Sequence, residues 1–110
     1  MAQYLLQAAY TSEAWANMVK HPQDRIAVVS KAVQNLGGKV IGGWLSFGDY
    51  DTVAVLEMPD NISAAAFSIA AGAGGACKSV KTTPLLTPED GIEATKRAAK
   101  SGYAPPQGRG

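Results

Sequence analysis

The segment that most constrains the fold is residues 40–57, where two β-rich runs flank Gly48-Asp49. A glycine at the first central position favours a two-residue type II′ turn, because that position needs a positive φ. Such a turn also fixes which residues face each other across the hairpin. The predicted pairs are Phe47 with Tyr50, Ser46 with Asp51, Leu45 with Thr52, Trp44 with Val53, Gly43 with Ala54, Gly42 with Val55, Ile41 with Leu56 and Val40 with Glu57.

Both faces of this hairpin are largely apolar, which is not typical of a sheet with one face in water. One face suits a layer of helices and carries Ile41, Leu45, Phe47 and Leu56. The other face needs a different cover and carries Trp44, Val53 and Val55, with Ser46, Asp51 and Glu57 at its rim.

The remaining patterns place strands and helices around the hairpin. Residues 2–10 alternate in character and predict a strand, as does the β-rich run 77–85. Caps and apolar spacing predict helices over about 12–20, 23–36, 62–72 and 87–102. The order β-α-β-β-α-β with a terminal helix indicates an α+β, ferredoxin-like fold with a four-stranded antiparallel sheet. We expect one domain over 1–102 and a disordered tail over 103–110.

Composition excludes several function classes. The chain has 110 residues, 46% of them hydrophobic, and a formal net charge of +1, so we expect neither nucleic acid nor a membrane as a partner. One cysteine and the lack of a signal peptide favour a cytoplasmic protein. One histidine and one cysteine do not supply the usual ligands of a metal site, so we expect no metal. The sequence also has no phosphate-binding loop, so we expect no cofactor.

A sheet with helices on one side leaves its other face bare. Burial of Trp44, Val53 and Val55 on that face would contribute roughly 1.5–3 kcal/mol for each large side chain. We therefore expect a homo-oligomer packed sheet to sheet, a dimer or a higher assembly. The alternative is a monomer whose C-terminal helix folds back over the bare face.

Several motifs together resemble a known family. Gly48-Asp49-Tyr50-Asp51 is followed by a β run that ends in Glu57-Met58-Pro59-Asp60. Further matching features are Tyr10-Thr11, Pro22 with Arg25, and Leu36-Gly37-Gly38. In this order, over roughly residues 4–95, they are similar to the GYD domain family of small bacterial and archaeal proteins. The resemblance implies a ferredoxin-like fold of the dimeric α+β barrel kind and no particular reaction.

Four titratable residues are candidate acids or bases: His21, Tyr50, Asp51 and Glu57. Each has a structural alternative. Tyr50 is expected to pack over Phe47, and Asp51 to accept hydrogen bonds from backbone donors. Glu57 is expected to pair with Arg25 or a lysine, and His21 to be solvated or to cap the helix that follows it. Cys77 has no histidine nearby in the sequence and is expected to be inert.

Two hypotheses of function remain. The first is a homo-oligomeric small-molecule-binding or assembly module, with a small apolar or aromatic ligand in a pocket lined by Tyr4, His21, Trp44 and Tyr50. The alternative is a cofactor-free enzyme, monooxygenase- or isomerase-like, which similarity to dimeric α+β barrels suggests by fold alone. An enzyme needs two titratable groups that converge on one cavity, whereas a binding module needs the cavity alone.

Overall fold

The computed structural model describes residues 1–107 as one α+β unit. Its elements are β1 (Ala2–Tyr10), α1 (Ser12–Lys20), α2 (Arg25–Asn35), β2 (Lys39–Leu45), β3 (Thr52–Met58), α3 (Asn61–Ala73), β4 (Cys77–Leu85) and α4 (Pro88–Ala99). The strands form one sheet in the order β2-β3-β1-β4, and every neighbouring pair is antiparallel. The predicted ferredoxin-like fold with an extra C-terminal helix is therefore confirmed.

Each helix begins at a side chain that accepts hydrogen bonds from its first turn. Thr11 caps α1 through a bond from the Ala14 amide (3.1 Å), and Thr87 caps α4 through a bond from the Asp90 amide (3.1 Å). Asp24 Oδ1 accepts from two amides of α2, and Asp60 Oδ1 accepts from the Ser63 amide (2.8 Å). Because these caps use amides that have no partner inside a helix, they fix where each helix starts.

The core lies between the sheet and one layer of helices. Alternation along β1 and β3 directs Tyr4, Leu6, Ala54, Leu56 and Met58 toward that layer, and all five are buried. The helices contribute Val33 of α2 and Ala64 and Phe67 of α3 to this core. The Ala-rich sequence of α3 lets this helix approach the sheet closely.

The register of the hairpin follows the prediction over four pairs and then shifts. Gly42 pairs with Val55, and the ladder continues to Leu45 with Thr52. A bulge at Ile41 then moves the pairing by one residue, so that Val40 faces Leu56 and Lys39 faces Glu57. The predicted pairs of Ile41 with Leu56 and Val40 with Glu57 are wrong, because a bulge places one extra residue in one strand.

The connection between β2 and β3 is wider than the predicted two-residue turn. The last bond across it joins the Ser46 amide to the Asp51 carbonyl (2.7 Å), and residues 47–50 form a loop beyond that bond. Gly48 has a φ of 142°, a backbone angle that residues with a side chain rarely adopt. Phe47 is 99% exposed, so it does not pack with the helices as predicted.

The second face of the sheet, which we call the open face, has no cover within residues 1–107. Its side chains are the other half of the strand alternation, and α1, α2 and α3 do not lie on it. The helix α4 has no buried residue. Residues 103–107 of the predicted tail are exposed and lack regular structure, and 108–110 lie outside the described residues.

The cap at Asp60 predicts a pH dependence of stability. The hydrogen bond from the Ser63 amide lowers the pKa of Asp60 below its ordinary 3.8. A lowered folded-state pKa means that the stabilisation is present above the unfolded-state pKa and is lost as pH falls through the folded-state pKa. We expect Asp60→Asn, which keeps an acceptor without the charge, to be less stable than the native chain at pH 7. Urea midpoints of the two proteins should converge below pH 3.8, and a constant difference would contradict this assignment.

Candidate functional site

The open face has an apolar centre with charged residues around it. Trp44, Val53, Val55 and Leu5 occupy neighbouring positions on β2, β3 and β1. The ring of Trp44 lies over Gly42, where a Cβ atom would stand 2.9 Å from Trp44 Cη2. Glycine at this position therefore allows the indole to lie across the sheet. The ends of the face carry Lys39 with Glu57 on one side and Lys81 on the other.

Asp51 ties three elements together at the end of the hairpin. Its Oδ2 accepts hydrogen bonds from the Tyr10 amide at the end of β1 (2.9 Å) and from the indole Nε1 of Trp15 in α1 (3.2 Å). Its own amide donates to the Ala8 carbonyl (2.8 Å), and its carbonyl accepts from Ser46. The carboxylate therefore satisfies a backbone donor, as the structural alternative expected, and also holds α1 against the sheet.

Aromatic packing reinforces this tie. The rings of Tyr10 and Trp15 meet edge to face, with centroids 5.5 Å apart and planes at 87°. The buried Tyr10 hydroxyl shares a hydrogen bond with Thr52 Oγ1 (2.8 Å). Asp51, which directly precedes β3, and Thr52, its first residue, therefore both bind Tyr10 at the same end of the sheet.

Tyr50 and His21 contribute backbone groups to local structure. The Tyr50 carbonyl accepts a bond from Ser46 Oγ (2.8 Å) within the hairpin loop. His21 is the C-cap of α1, its amide donating to the Asn17 carbonyl (2.8 Å), and its side chain is exposed. The prediction that His21 caps the helix after it is wrong, because Asp24 caps α2, whereas the exposed side chain agrees with the solvated alternative.

Glu57 lies half-buried on the open face. Its cross-strand neighbours are Gln3 and Lys39. It forms no ion pair within 4.0 Å in residues 1–107, where Glu93 with Arg97 is the one such pair. The expected partner Arg25 lies instead at the start of α2, on the helix side. Asp51, which directly precedes β3, is six residues from Glu57 along the chain, a separation of about 20 Å at the rise of a strand.

Tyr4 borders a cleft of about 410 Å³ between α3 and the edge strand β4. Its side chain is buried on the helix side of the sheet, and its hydroxyl donates to Asn61 Oδ1. Ser68 and Thr82 meet across the same cleft through their hydroxyls (2.6 Å). These polar groups satisfy one another, so the cleft has apolar walls and few unpaired groups.

A second cleft, the α1–α2 cleft, measures about 310 Å³ and lies between the two helices and the end of β2. Its apolar walls come from Trp15, Met18 and Ile26, and its polar rim from Gln23, Asp24 and Arg25. Trp44 borders it at the sheet edge. No sequence pattern predicts Arg25 as a site residue, although Pro22 with Arg25 is among the features that resemble the family.

The four predicted ligand residues do not line a common cleft in residues 1–107. Tyr4 lines the α3–β4 cleft, and Trp44 lines the α1–α2 cleft and the open face. His21 and Tyr50 line neither cleft. The separation follows from strand alternation, because Tyr4 points to the helix side while the Trp44 ring lies on the open face. The candidate acids and bases are likewise dispersed along the hairpin and α1.

Residues 1–107 contain no group of three or more His, Cys, Asp or Glu side chains placed to hold a metal ion. Burial raises the pKa of the half-buried Cys77 thiol above its ordinary 9.0, partly offset by the charge of Arg25. The helices of this part of the chain include none long and apolar enough to cross a bilayer.

Comparison with models of known families shows which family the chain belongs to. The model of the GYD domain matches residues 4–95, which span β1 to the middle of α4. The chain belongs to the GYD domain family. No curated protein matches the sequence.

In this GYD protein the motif Gly48-Asp49-Tyr50-Asp51 forms the hairpin loop and its closing tie. Gly48 supplies the positive φ, the Tyr50 carbonyl holds the Ser46 hydroxyl, and Asp51 joins β1 and α1 to β3. The hydrogen bonds of the motif thus account for a structural role.

Removal of the Asp51 carboxylate should weaken the fold. A hydrogen bond to a charged group contributes about 1.5–3 kcal/mol, and two donors lose their acceptor in Asp51→Ala. We expect Asp51→Ala to lower the free energy of unfolding by about 3 kcal/mol, and Asp51→Asn by about half of that because one acceptor oxygen remains. Asp49→Ala, in the same exposed loop, is the control and should change it by less than about 0.5 kcal/mol. Equal effects of Asp49→Ala and Asp51→Ala on the free energy of unfolding in urea would contradict a stabilising role of the Asp51 hydrogen bonds.

Proposed function

We propose that this GYD protein is a homo-oligomeric small-molecule-binding module in which two copies pack their open faces together. The observation that carries the proposal is the apolar open face, on which Trp44 remains 58% exposed. Large exposed apolar patches of this kind mark interaction sites in soluble proteins.

The composition of the open face favours a second copy of the chain as its occupant. Its centre is apolar and its margins carry both signs of charge, through Lys39, Glu57 and Lys81. An apolar core with a polar rim is the usual anatomy of a protein interface. Since a formal net charge of +1 opposes self-association little, two-fold packing of this face on itself has no large electrostatic cost.

The position of α4 supports the same arrangement. Leu85 belongs to the open face through its pairing with Gln3, and the chain continues from it through Leu86 into α4. Ile92 of α4 is 59% exposed, and no residue of the helix is buried. A twelve-residue helix is marginal on its own, so contact with a partner that also covers the open face would stabilise it. The alternative of a monomer with α4 over its own sheet has no support from these contacts.

Ligand binding rests on the clefts that each subunit already contains. The α1–α2 cleft and the α3–β4 cleft lie on the helix side and stay accessible when the open faces meet. Their volumes of about 310 and 410 Å³ suit small molecules. Trp44 borders the first cleft and also belongs to the open face, so association would fix one wall of the cleft.

A charge on the open face should dissociate the oligomer. Trp44→Glu would place a carboxylate in the apolar centre, where an unpaired charge is costly to bury. Because Trp44 is exposed in the single subunit, we expect the variant to fold and to sediment as a monomer of about 11.4 kDa. Val19→Glu is the matched control, since Val19 is an exposed apolar residue of α1, away from the sheet. A Trp44→Glu protein with the mass of the native assembly would contradict the proposed interface.

A further inference from the structure

We propose that the α1–α2 cleft binds a small carboxylate with an apolar or aromatic body, whose anionic group pairs with Arg25. The inference deepens the proposed binding function by naming the ligand class, and it rests on that function. It rests on the hydrogen bonds of the charged groups around this cleft: the carboxylates accept bonds from protein donors, whereas Arg25 has donors to spare within residues 1–107.

Arg25 is a half-buried cation with unused hydrogen-bonding capacity. Its Nη1 donates to Gln23 Oε1 (2.8 Å), and it forms no ion pair within residues 1–107. A guanidinium has five N–H donors in a planar fork that matches a carboxylate. Arg25 is therefore placed to accept an anion without breaking an existing salt bridge.

The neighbouring carboxylates are occupied by donors of the protein. Asp24 Oδ1 accepts from the Ile26 and Ala27 amides and so caps α2. Asp51 Oδ2 accepts from the Tyr10 amide and the Trp15 indole. Both acids near the cleft thus have protein partners, whereas Arg25 has one side-chain hydrogen bond and no ion pair in the part of the chain that the structure describes. This imbalance favours an anionic ligand over a cationic one.

The walls of the cleft are mainly apolar and therefore favour a ligand whose remaining part is apolar or aromatic. Trp15, Met18 and Ile26 provide aromatic, thioether and aliphatic surface around the space. The indole N–H of Trp15 is held by Asp51, which fixes the ring. Ile26 rests on the backbone of Gly43, where a Cβ atom would stand 2.7 Å from its Cδ1. These contacts hold two walls of the cleft in place before a ligand enters.

Isothermal titration of the full chain with phenylacetate and with phenylacetamide tests the inference, because the two probes have nearly the same shape and differ in charge. We expect phenylacetate to bind at least about tenfold more tightly than the amide, as charge-assisted bonds are stronger than neutral ones. Arg25→Gln should remove that difference, and Arg25→Lys, which keeps the charge without the fork, should retain part of it. Lys31→Gln, an exposed α2 cation, is the control and should leave it unchanged.

The signal of the Trp15 indole N–H in two-dimensional NMR locates the binding. A shift of this signal by phenylacetate in the native chain, and its loss in a folded Arg25→Gln chain, supports the site. Equal binding of both probes at Trp15 would overturn the anion preference and leave the binding function standing. An equal loss of affinity in Lys31→Gln would overturn the assignment to Arg25. If neither probe shifts Trp15 at millimolar concentration, the cleft is not the site, whereas the oligomer is judged separately by mass.

Discussion

Strand alternation is the constraint on which the rest of the structure depends. Each strand sends successive side chains to opposite faces, and in this sheet the central residues of both faces are apolar. Val33, Ala64 and Phe67 from α2 and α3 close one face, while Trp44, Val53 and Val55 remain on the other. The energetic need to bury that second face organises the proposed assembly and leaves the helix-side clefts as places for a ligand.

The GYD motif acts at one corner of this arrangement. Asp51 uses its amide, its carbonyl and its carboxylate to join β3 to β1, to the hairpin and to α1. Because Trp15 is held in this way, the α1–α2 cleft has a wall whose position follows from the motif. The four motif residues in the hairpin loop thereby influence a cleft that they do not line themselves.

Local patterns predicted much of the fold from the sequence. The predicted bounds of β4 and the predicted start of the first helix at about residue 12 agree with the structure, because period-two alternation and capping residues act over few residues. The bulge at Ile41 was missed because Val40 and Ile41 are both apolar and alternation does not show an inserted residue. The bond from Trp15 to Asp51, and the lack of an ion pair at Arg25 within residues 1–107, depend on how distant segments are arranged, which spacing along the chain does not reveal.

The most direct test of the central claim is sedimentation of the native chain over a range of concentrations. Two copies joined by their open faces predict a species of about 22.8 kDa, twice the chain mass of 11.4 kDa, or a larger multiple for a higher assembly. The assembly should persist at high salt, because its interface is mainly apolar. A mass of 11.4 kDa at every concentration would show that the open face is not buried by a second copy and would contradict the account.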